Sequence, residues 1–135
     1  MPTVDPLFLT DEDVEAIHAD QFGEFGGAQG VRDPGLLSSA VAQPCATFGG
    51  EFLHADLYHM AAAYLYHLAK NLPFIDGNKR TALIAALDFL DLNGVDIGSE
   101  APDLFDLVVG VAAGHVTKVD AAHELRRLFP NLQRP

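Results

Sequence analysis

The stretch Asn71-Leu72-Pro73-Phe74-Ile75-Asp76-Gly77-Asn78-Lys79-Arg80 leads from one long apolar segment into another. The first, Asp56 to Lys70, is rich in Ala and apolar nearly all round, the pattern of a buried helix. The second, Asn78 to Leu92, carries Leu83, Ile84, Leu87 and Leu90 at helical spacing and closes on Asn93-Gly94, a helix C-terminal signal. Pro73 cannot continue the first helix, so Asn71 to Gly77 is a connector. The pattern predicts a hairpin of two buried helices with this connector at its turn.

The connector is also where the chemistry concentrates. The first N–H groups of a helix have no backbone partner, the helix dipole favours negative charge there, and Gly77 lets a ligand approach the backbone closely. Lys79 and Arg80 sit in that first turn, where each cation opposes the dipole by roughly 0.3 to 1 kcal/mol. A polyanionic ligand would offset both. Arg80 shares the stripe of Leu83, Ile84 and Leu87, which predicts that it points along the packed face rather than into open solvent. Asp76 would repel a phosphate unless a divalent cation joins them, and Mg2+ commonly bridges one carboxylate and nucleotide phosphates. Taken alone, Gly-Asn-Lys also fits an ordinary connector whose Asp and Asn cap the second helix and whose cations are solvated.

The wider constellation goes further. Pro73-Phe74-Ile75-Asp76-Gly77-Asn78-Lys79-Arg80-Thr81-Ala82-Leu83 resembles the signature loop of the Fic/Doc family, in the variant of the Doc (death-on-curing) toxins. Gly30 to Leu37, Ala46 to Gly50 and Leu90 to Gly94 are similar to Doc-like proteins too, so the resemblance covers most of the chain. It implies a toxin of a toxin-antitoxin pair, using ATP and Mg2+ to phosphorylate a hydroxyl of a translation factor such as elongation factor Tu and silenced by a Phd-type antitoxin. It also implies residue roles: Phe74 anchors the loop, Asp76 holds the metal, Gly77 and Asn78 form an anion hole, and Lys79 and Arg80 hold phosphates. Relatives that transfer AMP usually have Gly after the Asn and a second Arg three residues beyond the first. Lys79 and Leu83 stand at those positions, as in the Doc branch, and AMP transfer is the alternative.

One position departs from the family pattern. The resemblance places a catalytic His immediately before Pro73-Phe74, and this chain has Leu72 there. A Leu side chain cannot accept the proton of an attacking hydroxyl. Two origins are open, a toxin disabled by substitution or a naturally silent relative that binds nucleotide or antitoxin without chemistry. His67 and His59 lie on roughly one face of the preceding helix but about 12 Å apart along its axis, too far to share a metal. His18, His54, His115 and His123 show no ligand spacing, and no metal cluster is expected.

The totals fit a single soluble domain spanning residues 1–135, long enough to bury a core. Of its residues 49% are hydrophobic and 20% charged, and the net charge is -11. That balance argues against DNA binding and against anionic membranes. A single cysteine, Cys45, precludes an internal disulfide and fits a cytoplasmic protein, with neither signal peptide nor membrane span.

Toward the N-terminus, Thr10 and Asp13 form a capping box, Leu9 can staple to Val14, and the helix runs to about Glu24. Gly23, Gly26, Gly27 and Gly30 read as a loop. Asp33-Pro34 opens a second helix that Pro44 stops. Thr47 to Phe52 reads either as a short flap or as a connector with Phe48 in the core. Beyond the hairpin, Asp103 to Ala113 and a last helix capped by Thr117 complete an all-α fold of about six helices. Val95 to Ile97 is the only hint of strand.

Overall fold

Reciprocal hydrogen bonds close the capping box at the start of α1 (Asp11–Phe25) in the computed structural model, which describes residues 5–25, 30–98 and 104–132. The Thr10 N–H donates to Asp13 Oδ2 at 2.8 Å and the Asp13 N–H to Thr10 Oγ1 at 3.1 Å. Leu9 and Val14 are both buried, as a staple requires. In α2 (Pro34–Ala42), Asp33 is the N-cap and accepts from the Leu36 N–H, with Pro34 in the first turn. Thr117 caps α6 (Lys118–Leu128) by accepting from the Asp120 N–H at 3.0 Å.

The centre of the molecule is α3 (Leu57–Asn71), packed by α2, α4 (Asn78–Leu92), α5 (Phe105–Ala113) and α6. Its alanines explain how four neighbours can approach. Ala61, Ala62, Ala63 and Ala69 are buried beside Met60, Leu65 and Leu68, and a methyl side chain lets helix axes come close. Tyr64 fills the space toward α4, its ring centroid 5.2 Å from that of Phe89, while its hydroxyl accepts from the Leu9 N–H at 2.8 Å. A buried tyrosine hydroxyl needs such a partner. At the other end of the helix, Asp56 caps α3 through the His59 N–H and pairs with Arg126 of α6, fastening the two helices together.

The all-α architecture, with six helices among the described residues, is therefore as the periodicity predicts, with small corrections at the margins. Gly23 lies inside α1 rather than in a loop. Gly26, Gly27 and Asp103 lie outside the described residues, and α5 runs from Phe105. Val95 forms one antiparallel bridge, with Leu132, and no strand. The strands are elsewhere: β1 (Thr47–Phe48) and β2 (Glu51–Phe52) pair as an antiparallel hairpin. Its two turn residues, Gly49 and Gly50, both have positive φ (61° and 85°), the geometry of a tight hairpin turn that side chains resist. Phe48 is 81% exposed at this hairpin, so it is not a core residue. The segment is a projecting flap.

Candidate active site

The connector between α3 and α4 is shaped by backbone contacts from distant parts of the chain. Leu72 ends α3 in the left-handed conformation (φ 51°, ψ 54°), and it is the only non-glycine residue with positive φ among those described. That backbone costs a side-chain-bearing residue roughly 1 to 2 kcal/mol. Arg32 offsets part of it. Its Nε donates to the Leu72 carbonyl at 2.9 Å and its Nη2 to the Asn71 carbonyl at 3.2 Å. A guanidinium on the last carbonyls of a helix also complements the dipole.

The segment around Arg32 continues as a strap along the connector. The N–H groups of Arg32 and Asp33 both donate to the Pro73 carbonyl, at 2.7 and 3.0 Å, and the Ile75 N–H donates to the Gly30 carbonyl at 3.3 Å. Val31 and Phe74 pair as one antiparallel bridge. Phe74 is buried.

His18 of α1 completes the support, and spacing along the chain did not single it out. It is only 3% exposed. Its ring stacks on Phe74 with centroids 3.9 Å apart and planes 7° from parallel, and its Nε2 lies 2.8 Å from the Asp76 carbonyl oxygen. That contact requires the proton on Nε2. A signal was available in the sequence: His18 follows Val14 and Ile17 on the inward stripe of α1, and a polar ring on an apolar stripe must find a partner.

Asn78 acts as a clasp on the same loop. Its Oδ1 accepts from the Phe74 N–H at 2.9 Å and its Nδ2 donates to the Phe74 carbonyl at 3.0 Å. The amide group is thus committed to the backbone, and what Asn78 can offer an anion is its own N–H. Gly77 takes φ 78° as the N-cap of α4 and, being a glycine, brings no side-chain cap to that helix. Lys79 and Arg80 are exposed beside it. Arg80 differs from expectation in part, for it leans toward α5 with its guanidinium carbon 5.6 Å from the Phe105 ring centroid. This is cation–π distance.

Asp76 is exposed, with Oδ1 accepting from the Gly77 N–H at 2.8 Å. Among the described residues no three His, Cys, Asp or Glu side chains gather into a metal-binding group. A cation here would have one protein carboxylate and complete its shell with water and phosphate oxygens. Those are the ligands Mg2+ prefers, and the donor set fits it.

A sequence model described as the Fic/DOC family matches residues 8–90. This chain belongs to the Fic/DOC family. It is similar to a protein kinase doc of Escherichia phage P1, 37% identical over 121 residues that cover 90% of this chain and 94% of that protein. It is also similar to a toxin Doc of Mycolicibacterium smegmatis, 50% identical over 76 residues covering 56% of this chain and 58% of that protein. Both relatives belong to the Doc branch. The matched span of this Fic/DOC chain runs from Phe8 to Leu90 and so includes His18, the strap and the whole α3–α4 connector.

Thr81 is a weak point in the packing of this Fic/DOC domain. It is fully buried on α4, and its Oγ1 has no hydrogen-bond partner. Leaving a buried hydroxyl unpaired costs about 1 to 3 kcal/mol, and an apolar group of the same shape removes that cost. Thr81→Val is accordingly expected to raise stability by about 1 kcal/mol in denaturant unfolding. A loss of stability would show that the hydroxyl has a partner.

Proposed function

We propose that this chain is a Doc-type toxin that binds ATP with Mg2+ at the N-terminus of α4. In this reading it transfers the γ-phosphoryl group to a hydroxyl of a translation factor of the elongation factor Tu type. A Phd-type antitoxin is its partner, and the cytoplasm its location. No described helix is long and apolar enough to cross a membrane. The observation that carries the reading is the α4 N-terminus itself. It has a positive-φ glycine as N-cap, which brings no side-chain cap, two exposed cations in its first turn and an exposed carboxylate beside it, in a chain of net charge -11.

Each residue then has a task. The first-turn N–H groups, Lys79 and Arg80 face the charge that develops on the transferred group. Asp76 is the protein ligand for Mg2+, which when bound would neutralise phosphate charge. Asn78, His18 and Arg32 fix the loop's shape before any ligand arrives, so that little reorganisation remains for the reaction. In the transfer, the acceptor oxygen forms the new bond to phosphorus as the bond to the ADP oxygen breaks, and the acceptor's proton must leave. Leu72 offers no atom to receive it. The chain as it stands binds nucleotide and turns over slowly, the proton passing to water.

A silent relative is the second reading, favoured by Leu72 alone. Binding is tested first, by thermal unfolding with and without ATP and Mg2+. At a ligand concentration about 100-fold above Kd the stabilisation is about 2.7 kcal/mol, which for a domain of this size raises Tm by roughly 8 °C. Arg80→Ala is expected to remove most of that rise while leaving the ligand-free Tm nearly unchanged. No rise in the unsubstituted protein would overturn nucleotide binding. Transfer of label from the α- rather than the γ-phosphate would replace phosphorylation by AMP transfer.

A further inference from the structure

A second concentration of positive charge lies away from the α4 N-terminus, on the face where α3 meets the turn between α5 and α6. Lys70 and Lys118 approach the same ring: their Nζ atoms lie 6.0 and 5.6 Å from the centroid of Tyr66. Neither forms an ion pair among the described residues, although the chain has 19 acidic residues against eight Lys and Arg. By contrast, Arg126 and Arg127 take Asp56 and Glu124. The partner of Lys70 is the Ala112 carbonyl, at 3.2 Å, and that of Lys118 is His67 Nε2, also at 3.2 Å. Burial, with Lys118 adding to it, holds His67 down to a pKa of about 4, so its ring is a neutral acceptor at neutral pH.

These groups line a cleft of about 570 Å3 whose remaining walls include Val116 and Val119, and among the described residues no carboxylate lines it. That volume falls in the range of small-ligand sites, which are mostly apolar with a few placed polar groups. Two like charges on one ring, in a strongly acidic protein, are an arrangement that an external anion relieves. The apolar walls suit an organic anion better than inorganic phosphate, and two ammonium groups, which act as point charges, lack the planar fork with which Arg grips phosphate.

We infer that this cleft binds a carboxylate-bearing ligand with an apolar body, at a site separate from the α4 N-terminus. The separation follows from α5. Arg80 rests on Phe105 at its start, and Lys70 bonds Ala112 near its end, seven residues or about 10 Å further along the helix. The carboxylate could belong to a free acid or to an acidic peptide segment, and the two are told apart by affinity.

The test is a titration of the isotopically labelled protein, followed through the amide signals of Tyr66, Val116, Lys118 and Val119. The probes are 4-phenylbutyrate and the peptide acetyl-Leu-Glu-Leu-Glu-Leu-amide, with 4-phenylbutanol and inorganic phosphate as controls. Saturable shifts are expected with at least one carboxylate probe, and the tighter of the two identifies the source. Lys70→Gln with Lys118→Gln should weaken binding at least about tenfold, whereas Arg126→Gln with Arg127→Gln, an equal change of charge elsewhere, should weaken it less than about twofold. The inference is overturned if neither carboxylate saturates, or if phosphate or the alcohol binds as tightly. It also fails if the lysine pair is dispensable, or if ATP with Mg2+ displaces the probe, which would make the cleft part of the nucleotide site. Apart from that competition the shifts are read without nucleotide, so their failure leaves the toxin reading untouched.

Discussion

Leu72→His is expected to make the chain arrest bacterial growth on induction, where the unsubstituted chain is expected not to. A positioned general base contributes about 10^2 to 10^4 in rate, and position 72 is where the family resemblance places one. The backbone favours the exchange as well. Leu72 is 46% exposed and has φ 51°, so its side chain gains little from packing while its backbone bears a left-handed conformation. Histidine is among the residues enriched there. The substitution should therefore leave stability unchanged or slightly raised, while transfer of the γ-phosphoryl group from ATP to elongation factor Tu in a purified system rises by at least about 100-fold. If the His form is folded, binds ATP and arrests nothing, the toxin reading fails and a silent binding module takes its place.

The second large effect is expected at His18. His18→Ala removes a buried ring that stacks on Phe74 and leaves the Asp76 carbonyl without its donor. Cavity and lost hydrogen bond together predict a destabilisation of about 2 to 4 kcal/mol. Two gentler exchanges divide the effect. His18→Phe keeps the stack but not the donor, and His18→Gln keeps a donor but not the stack. If the bond to Asp76 shapes the site, the Phe form should lose much of the Tm rise given by ATP and Mg2+, and the Gln form should retain more of it despite lower stability. Equal nucleotide responses in both forms would show that His18 is a core residue only.

What the sequence made legible is what local rules govern. The buried character of α3 and α4, their boundaries to within a residue and the caps at Thr10, Asp33 and Thr117 all follow from neighbours three or four positions apart. The loop between them was legible for the same reason, since its Pro, Gly and cations sit in one short run. The flap was only half legible. With two residues per strand it has no alternation to read, so nothing along the chain showed that Phe48 faces outward. The supports of the site were illegible in a stronger sense. Arg32 reaches carbonyls 39 and 40 positions away and His18 one 58 positions away, and no periodicity encodes such pairings. Asn78 shows the converse limit, for its position was evident while the direction of its amide, back toward Phe74, was not.

The strap from Gly30 to Asp33 also sets an order of events during folding. The α3–α4 hairpin joins neighbours in sequence and can form early, because its loop is short to close. The connector's final shape must wait until segments some 40 to 60 residues away have docked, each closure carrying a larger entropic cost. The same bonds involve few buried side chains, and such regions open locally at a fraction of the global unfolding free energy. The N–H groups of Arg32, Asp33 and Ile75 should therefore exchange with solvent sooner than those of α3. A helical core can thus stand complete while the chemistry at its turn has not yet been assembled.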